Sequence, residues 1–301
     1  MFLRNLTMFR FPTSTDFSEV ATLLPQVTLK PVSPLEMCSR GFVSPFGREE
    51  TQQLHHAIGA WLWLTVGAED KMLPGAVVND QLAKRIAEIE QREGRRPGGR
   101  ERKRMKDDLL HELMPKAFVK TSRTDVFLDT QRGVAFVDSS SRATGENVMS
   151  DIRGLLGSFP AMSLKAEVAP RTVLTGWIAG EALPQGVTLG EEAELKEPMT
   201  GGAIAKLQHQ ELVSDETAKH LDAGKQVTKL GLVLEDNLSF VLGDDLAVRK
   251  LKFLDGALDR LENADTDGRR AELDARFALQ IGELGRLFDG LAAAFKISEV
   301  S

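Results

Sequence analysis

Residues 74–114 carry two segments with the periodicity of an amphipathic helix, separated by a short break. Apolar side chains recur at helical spacing over Val77–Ile89 and again over Met105–Leu113. Proline and glycine interrupt helices, and the break between the two segments contains Gly94, Pro97, Gly98 and Gly99. The pattern therefore predicts a helical hairpin that projects as an arm from the rest of the chain.

Strand patterns flank this arm on both sides. Ala60–Val66, rich in aromatic and β-branched residues, precedes it, and the short segments Asp125–Asp129 and Gly133–Asp138 follow it. We predict a helix over Arg142–Leu156, because Gly157 supplies a suitable C-terminal cap. The arm is thus expected to be inserted between strands of an α/β body.

The second half of the chain reads as a further set of strands and helices. We predict a strand over Thr172–Ile178 and a helix over Ser214–Ala223. Three strands are expected next, at Val227–Leu234, Leu238–Leu242 and Val248–Phe253. A long C-terminal helix is indicated by an apolar stripe of Leu273, Phe277, Ile281, Leu284, Phe288, Leu291 and Phe295. The expected fold class is α/β (α+β), with several domains and mixed sheets.

The charge is distributed very unevenly. The chain has a net charge of -6, yet residues 92–106 contain eight basic and two acidic residues. This segment therefore carries +6 and the remainder of the chain carries -12. Concentrated positive charge against an acidic background favours binding of phosphate groups, although a basic loop that serves only solubility is the alternative. The candidate phosphate ligands are Arg92, Arg95, Arg96, Arg100, Arg102, Lys103, Arg104 and Lys106.

Composition and motifs argue against most catalytic classes. The single cysteine, Cys38, excludes an internal disulfide and a cysteine-based zinc site. Gly224-Lys225 lacks the surrounding residues of a phosphate-binding P-loop, and the five histidines show no metal-ligand spacing. We therefore expect no catalytic residues, no metal and no cofactor. No apolar stretch approaches the roughly 20 residues of a membrane span, so we expect neither export nor membrane insertion.

Two alternatives to phosphate binding remain open. Glu69 and Lys71 form an acid-x-Lys triplet after a hydrophobic strand, an arrangement that holds a metal and activates water in some nucleases. A metal-dependent nuclease at this position is the first alternative. The second is a scaffold whose basic arm docks an acidic protein.

Several phrases, taken in order, resemble one protein family. EDKMLPGAVV at residues 69–78 resembles its acidic-x-Lys-x-Leu-Pro-x-x-Val signature, and LMPKAF at 113–118 is similar to its Leu-Leu-Pro-Arg-Ala-Phe. Further phrases match in the same order, namely Gly201-Gly202, LVSDE at 212–216, HLDAGKQVTKL at 220–230 and RKLKF at 249–253. By this ordered set, which spans nearly the whole chain, the protein resembles the recombination-associated RdgC family.

The resemblance implies a fold and a function. It implies a horseshoe-like chain with a central α/β domain (residues 1–72, 122–170 and 272–301), a helical tip domain (73–121) and a base domain (171–271). Family members are non-enzymatic, bind double-stranded DNA with little sequence preference and close into a ring-shaped homodimer around it. They limit the access of the recombinase RecA to DNA, and they are cytoplasmic and nucleoid-associated.

The resemblance also extends the set of expected site residues. Leu113, Met114 and Phe118 lie in the phrase that is near the tip-to-tip contact of the dimer. From the residues alone, Phe118 is either a core side chain or an exposed apolar contact. Where relatives often have consecutive basic residues, this chain reads Gln208-His209, and Lys206 is the nearest substitute. The further candidate DNA ligands are Lys116, Lys120, Arg123, Lys206, Lys225 and Lys229.

Overall fold

The structure is a computed structural model that describes residues 2–48, 50, 52–199, 202–262 and 268–299. Backbone contacts divide the chain into two compact units. Unit 1 comprises Met1–Leu23, Ser44–Thr65 and Thr124–Ser301, and unit 2 comprises Leu24–Val43 and Val66–Arg123. The division into central, tip and base domains stays a prediction.

The described residues form twelve strands and eight α-helices. In the first half of the chain these are β1 Thr7–Arg10, α1 Val20–Leu23, β2 Cys38–Val43, β3 His55–Ile58, β4 Trp61–Met72, α2 Gly75–Glu93, α3 Gly99–Leu113, β5 Phe118–Asp129, β6 Val134–Val137 and α4 Arg142–Leu156. In the second half they are β7 Met162–Ser163, α5 Pro170–Ile178, β8 Val187–Lys196, β9 Ile204–Gln208, α6 Asp215–Asp222, β10 Gln226–Leu234, β11 Leu238–Gly243, β12 Val248–Phe253, α7 Asp255–Glu262 and α8 Arg269–Phe295.

The strands build two sheets. The first has the order β2-β4-β5-β6-β1-β7, with β3 paired to β4, and the second has the order β12-β11-β10-β8-β9. The α/β class is confirmed, but the sheets are antiparallel where mixed sheets were expected. The reason is that short turns join β5 to β6, β10 to β11 and β11 to β12, and a short turn can only produce an antiparallel pair.

The predicted C-terminal helix is confirmed as α8, and it organises the core of unit 1. Phe277 packs against Phe127 with ring centroids 4.8 Å apart, and Phe295 packs against Trp177 at 5.6 Å. Phe288 packs against Phe136 of the first sheet. The same apolar cluster contains buried leucines of the second sheet. Both sheets therefore bury their apolar faces in one core with α8.

The strand predicted over Thr172–Ile178 is wrong, because this segment forms α5. Its β-branched and aromatic composition suggested a strand. Pro170 instead occupies the first turn of a helix, where a missing N–H costs nothing. Leu174, Trp177 and Ile178 then fall on one buried helix face. Burial of that face outweighs the local strand preference.

The helical hairpin of unit 2 is confirmed. It consists of α2 and α3, and each helix buries one apolar side chain almost completely, Val78 at 2% exposure and Leu109 at 1%. Gly94 ends α2 with φ of 65°, a left-handed conformation that glycine adopts without strain, and its N–H donates to Glu90. The hairpin thus turns where the glycine and proline break predicts.

Candidate nucleic-acid interface

The end of α2 and the turn that follows it carry three arginines that nearby carboxylates hold. Arg95 donates to both carboxylate oxygens of Glu101, at 2.7 and 2.9 Å, and lies 2.8 Å from Glu93. Arg92 donates to Glu93 as well, at 2.8 Å. Arg96 is paired with a carboxylate of α2 that lies 3.0 Å away. Three of the eight predicted cations are therefore already engaged within the tip.

Hydrogen bonds from arginine lower the pKa of two of these carboxylates, Glu93 and Glu101. The hydrogen bond from Arg92 lowers the pKa of Glu93, and the hydrogen bonds from Arg95 lower the pKa of Glu101. The hydrogen bonds to Glu101, together with the negative charges of Glu101 and Glu93, raise the pKa of Arg95. At neutral pH the pairs of Arg95 with Glu93 and Glu101 are thus charged on both sides, and they partly neutralise this part of the hairpin.

The five remaining cations all lie on α3 and are exposed. Among the described residues, no ion pair involves any of them. Arg100, Lys103 and Arg104 are spaced three and four residues apart, so they share one helix face. Arg102 and Lys106, four residues apart, form a second row beside it. We call these five residues the α3 stripe.

The location of the α3 stripe is unfavourable for the helix itself. The N-terminus of a helix carries a partial positive charge, so acidic residues stabilise its first turns and basic residues destabilise them. Within α3, which begins at Gly99, Glu101 is the only acidic residue of the first turn. Four cations within six residues of the start are therefore not explained by stability of the helix. They produce a concentrated positive surface that suits phosphate oxygens.

The other predicted residues of unit 2 follow α3. Lys116 lies in a single 3-10 turn, Met114–Lys116, and Lys120 and Arg123 lie on the exposed half of β5. Phe118 is 84% exposed, which resolves its two interpretations in favour of an exposed side chain. Leu113 and Met114 are half-buried.

The predicted lysines of the second half of the chain are paired. Glu194 of β8 lies opposite Lys206 of β9 on one side and Lys229 of β10 on the other. Lys229 donates to both carboxylate oxygens of Glu194, at 3.1 and 3.2 Å, and Lys206 lies 3.9 Å away. Lys225 lies between α6 and β10, with its Nζ 3.0 Å from Nδ1 of His220. Each of these three lysines thus has a side-chain partner, unlike the cations of the α3 stripe.

Sequence reasoning left three further cations unassigned. Arg249, Lys250 and Lys252 lie on β12, at the other edge of the same five-stranded sheet. Lys250 reaches across the sheet to Glu192 at 2.5 Å, and Arg249 donates to both oxygens of Asp245. The alternation of charged and apolar residues along β8 and β12 could have predicted two strands with one polar face. It could not have predicted which strands lie beside one another in the sheet.

The acid-x-Lys triplet anchors a loop. The Nζ of Lys71 is buried and donates to the carbonyl oxygens of Ser33 and Pro34. A carboxylate oxygen of Glu69 accepts a hydrogen bond from the backbone N–H of Val32 at 2.9 Å. Both charged groups thus hold residues 32–34 against β4. In this arrangement two of the three N–H groups of the lysine are used to hold the loop.

The described part of the chain offers neither a group of metal ligands nor a membrane-spanning helix. No three or more His, Cys, Asp or Glu side chains come together there as a set of metal ligands. No helix in those same ranges has the length and apolar character that crossing a bilayer demands.

Comparisons with known proteins agree with the ordered motifs. A family model described as "Putative exonuclease, RdgC" matches residues 1–298. The recombination-associated protein RdgC of Stenotrophomonas maltophilia (strain R551-3) is 72% identical over 299 residues, 99% of each chain. Proteins of the same name from Xanthomonas axonopodis pv. citri (strain 306) and Xanthomonas oryzae pv. oryzae (strain MAFF 311018) are 69% and 68% identical, over 299 residues and 99% of each chain.

Proposed function

The chain belongs to the RdgC family, and from this membership we propose that it binds double-stranded DNA with little sequence preference and has no enzymatic activity. It acts as a ring-shaped homodimer that encloses the duplex, and by occupying DNA it limits the access of RecA. The observation that carries the DNA-binding part is the α3 stripe, five exposed cations that have no ion-pair partner among the described residues.

Binding through phosphates makes a quantitative prediction about salt. Each phosphate that a protein cation neutralises releases condensed counterions, so the logarithm of the association constant falls linearly with the logarithm of salt concentration. If about six phosphates are neutralised, the slope is about -5. Phosphate contacts carry no base information, so duplexes of different sequence should bind with similar affinity. Fluorescence anisotropy with labelled duplexes over a range of salt concentrations measures both properties.

A charge reversal tests the location of the site. Replacing Arg100, Arg102, Lys103 and Arg104 with glutamate should abolish duplex binding, because four attractive contacts become repulsive. The matched control replaces four exposed lysines outside the candidate set, namely Lys30, Lys165, Lys219 and Lys296. The control has the same net charge and should retain most of the affinity. Equal losses in the two variants would show that net charge, rather than the α3 stripe, determines binding.

The homodimer is supported by the exposure of Phe118. Exposed large apolar side chains mark contact surfaces, and Phe118 is the most exposed of the large apolar residues that the structure describes. Replacing it with aspartate should weaken self-association without lowering the melting temperature. The same change at Met199, which is 78% exposed, is the control. Sedimentation analysis gives the mass, and longer retention on circular than on linear duplex would support a closed ring.

Three assays address the alternatives and the cellular role. Incubation of linear duplex with Mg²⁺ or Mn²⁺ tests the exonuclease of the family model's description, and we expect no cleavage because backbone carbonyls bind the Lys71 ammonium. Competition by duplex DNA tests the scaffold alternative, since an acidic protein partner bound to the same arm would be displaced. RecA-driven strand exchange should be inhibited by the wild type but not by the variant in which Arg100, Arg102, Lys103 and Arg104 are replaced with glutamate.

The proposed location is cytoplasmic and nucleoid-associated. Colocalisation of the labelled protein with the nucleoid tests it.

A further inference from the structure

The five-stranded sheet has one polar face on which carboxylates hold the basic side chains, and the proposed function does not account for these carboxylates. A cleft of about 280 Å³ lies on this face, and its lining includes side chains from β8, β9, β10 and β12. The charged residues among them are Glu192, Glu194, Lys206, Lys229, Arg249 and Lys250. We call this surface the sheet face. It combines four cations with two carboxylates, so its composition is basic overall.

Strand register places these charges side by side. Glu192 and Glu194 are two residues apart on β8, so they lie on the same side of the sheet. The two strands adjacent to β8 place Lys206 and Lys229 directly opposite Glu194. Cross-strand neighbours of opposite charge attract each other, and each lysine is within ion-pair distance of the same carboxylate. Glu194 therefore masks two lysines at once.

The ion pairs of Glu192 and Glu194 with these lysines, which we call the mask, can be replaced by other anions. The lysine side chains remain largely solvated, with 68% exposure for Lys206, 42% for Lys229 and 59% for Lys250. Ion pairs at such positions contribute little to stability, so an external anion of high charge density can replace the carboxylate. A duplex presents a row of phosphates and recovers additional free energy from counterion release.

The resemblance to the family already makes Lys206 and Lys229 candidate DNA ligands, and we propose that Glu192 and Glu194 limit the contribution of the sheet face to duplex binding by occupying its lysines. This inference rests on the proposed DNA-binding function. The carboxylates act as internal competitors of the phosphates. They reduce affinity and leave the α3 stripe as the stronger determinant of binding.

Removal of the mask is the test. Glu194→Gln should tighten duplex binding about threefold, as expected for release of exposed ion pairs, and should make the salt slope steeper by about 1 to 2 as Lys206 and Lys229 gain phosphate contacts. The double variant Glu192→Gln/Glu194→Gln should tighten binding further, because Lys250 is released as well. The matched control is Glu146→Gln, which removes the same charge and releases Arg142 on α4. It should change neither affinity nor slope.

A thermodynamic cycle separates contact from net charge. In a background with Lys206→Gln and Lys229→Gln, the effect of Glu194→Gln should disappear, because no masked lysine remains to be released. Circular dichroism melts confirm that each variant is folded. This inference is overturned if the wild type binds duplex and Glu194→Gln binds with the same affinity. It is also overturned if the Glu146→Gln control gains as much affinity as Glu194→Gln. Either outcome leaves the proposed function standing. Absence of duplex binding by the wild-type protein overturns both.

Discussion

The α3 stripe and the sheet face use the same residue types, but their charges are in opposite states. On α3, five cations have no ion-pair partner among the described residues, and Glu101 of the first turn is engaged by Arg95. On the sheet face, Lys206 and Lys229 share Glu194. A basic residue is thus unpaired in one region and held by a carboxylate in the other. The number of basic residues alone does not distinguish the two.

Secondary structure explains the difference. On a helix, the neighbours of a side chain are three and four residues away, so a basic run supplies its own basic neighbours. In a sheet, the neighbours come from other strands. Glu194 and Lys229 are 35 residues apart in the chain, yet they are direct partners across β8 and β10. A charge run on a helix therefore stays exposed, while scattered charges in a sheet become paired.

The largest expected effect comes from the unpaired cations. Replacing Arg100 and Arg104 with glutamine should weaken duplex binding about 30-fold near 0.15 M salt and reduce the magnitude of the salt slope by about 1.8, at about 0.9 per lost phosphate contact. Anisotropy titrations at several salt concentrations measure both values. The free energy of unfolding should stay equal or rise by up to about 0.5 kcal/mol, because two cations leave a helix N-terminus. A loss of stability would mean that these arginines have structural partners.

A smaller effect is expected from the same number of paired cations. Replacing Lys206 and Lys229 with glutamine should weaken duplex binding only about threefold, because Glu194 already competes with phosphate for both lysines. The titrations are those used for the arginine variant. If the loss reached that of the Arg100 and Arg104 variant, the distinction between paired and unpaired cations would fail.

A charge-neutral change within the tip should have less effect still. Replacing Arg95 and Glu101 together with glutamine leaves the net charge unchanged. It removes an ion pair whose two charges are already neutralised by each other. We expect duplex affinity to change less than about twofold, in line with the small energy of an exposed pair. Arg95→Gln alone serves as the comparison, because it uncovers Glu101 and should weaken binding more. Identical effects of the single and double changes would show that Arg95 itself contacts phosphate.

The pH dependence of stability tests the mask in the absence of DNA. Partial burial raises the pKa of Glu194, but hydrogen bonds from Lys229 and Thr228 and the lysine charges lower it overall, to below the ordinary carboxyl value of 4.5. A lowered folded-state pKa stabilises the protein above that ordinary value and loses this contribution as pH falls through the folded-state pKa. The difference in unfolding free energy between wild type and Glu194→Gln should therefore be constant from about pH 8 to 6 and shrink below about 4.5. Urea melts at several pH values measure it, and a difference that grows on acidification would contradict the pairing.

Much of the fold could be predicted because its signals are local. The helical hairpin, the α4 helix, the β10 to β12 strands and α8 all follow from periodicity with glycine or proline at the ends. The failure at Thr172–Ile178 has an equally clear cause. A short apolar segment fits a strand or a helix, and only its burial against α8 and the second sheet selects the helix.

The candidate site was predictable to a different degree in each region. The α3 stripe could be located from the basic run between residues 92 and 106, although the run did not show which arginines are paired. On the sheet face, the resemblance named Lys206 and Lys229, but their pairing with Glu194 could not be predicted, because the three residues belong to different strands. The Glu69 and Lys71 triplet was compatible with a nuclease until the hydrogen bonds to residues 32–34 were known.

By itself, the sequence determined the hairpin, the long C-terminal helix, the position of the basic tip and, through its ordered motifs, the family. These properties depend on residues that are near one another in the chain, or on the order of whole segments. Only the tertiary structure decided which cations are free and which are masked. An ion pair depends on distances of a few ångströms between side chains, and in a sheet those distances are set by strand pairing rather than by sequence separation.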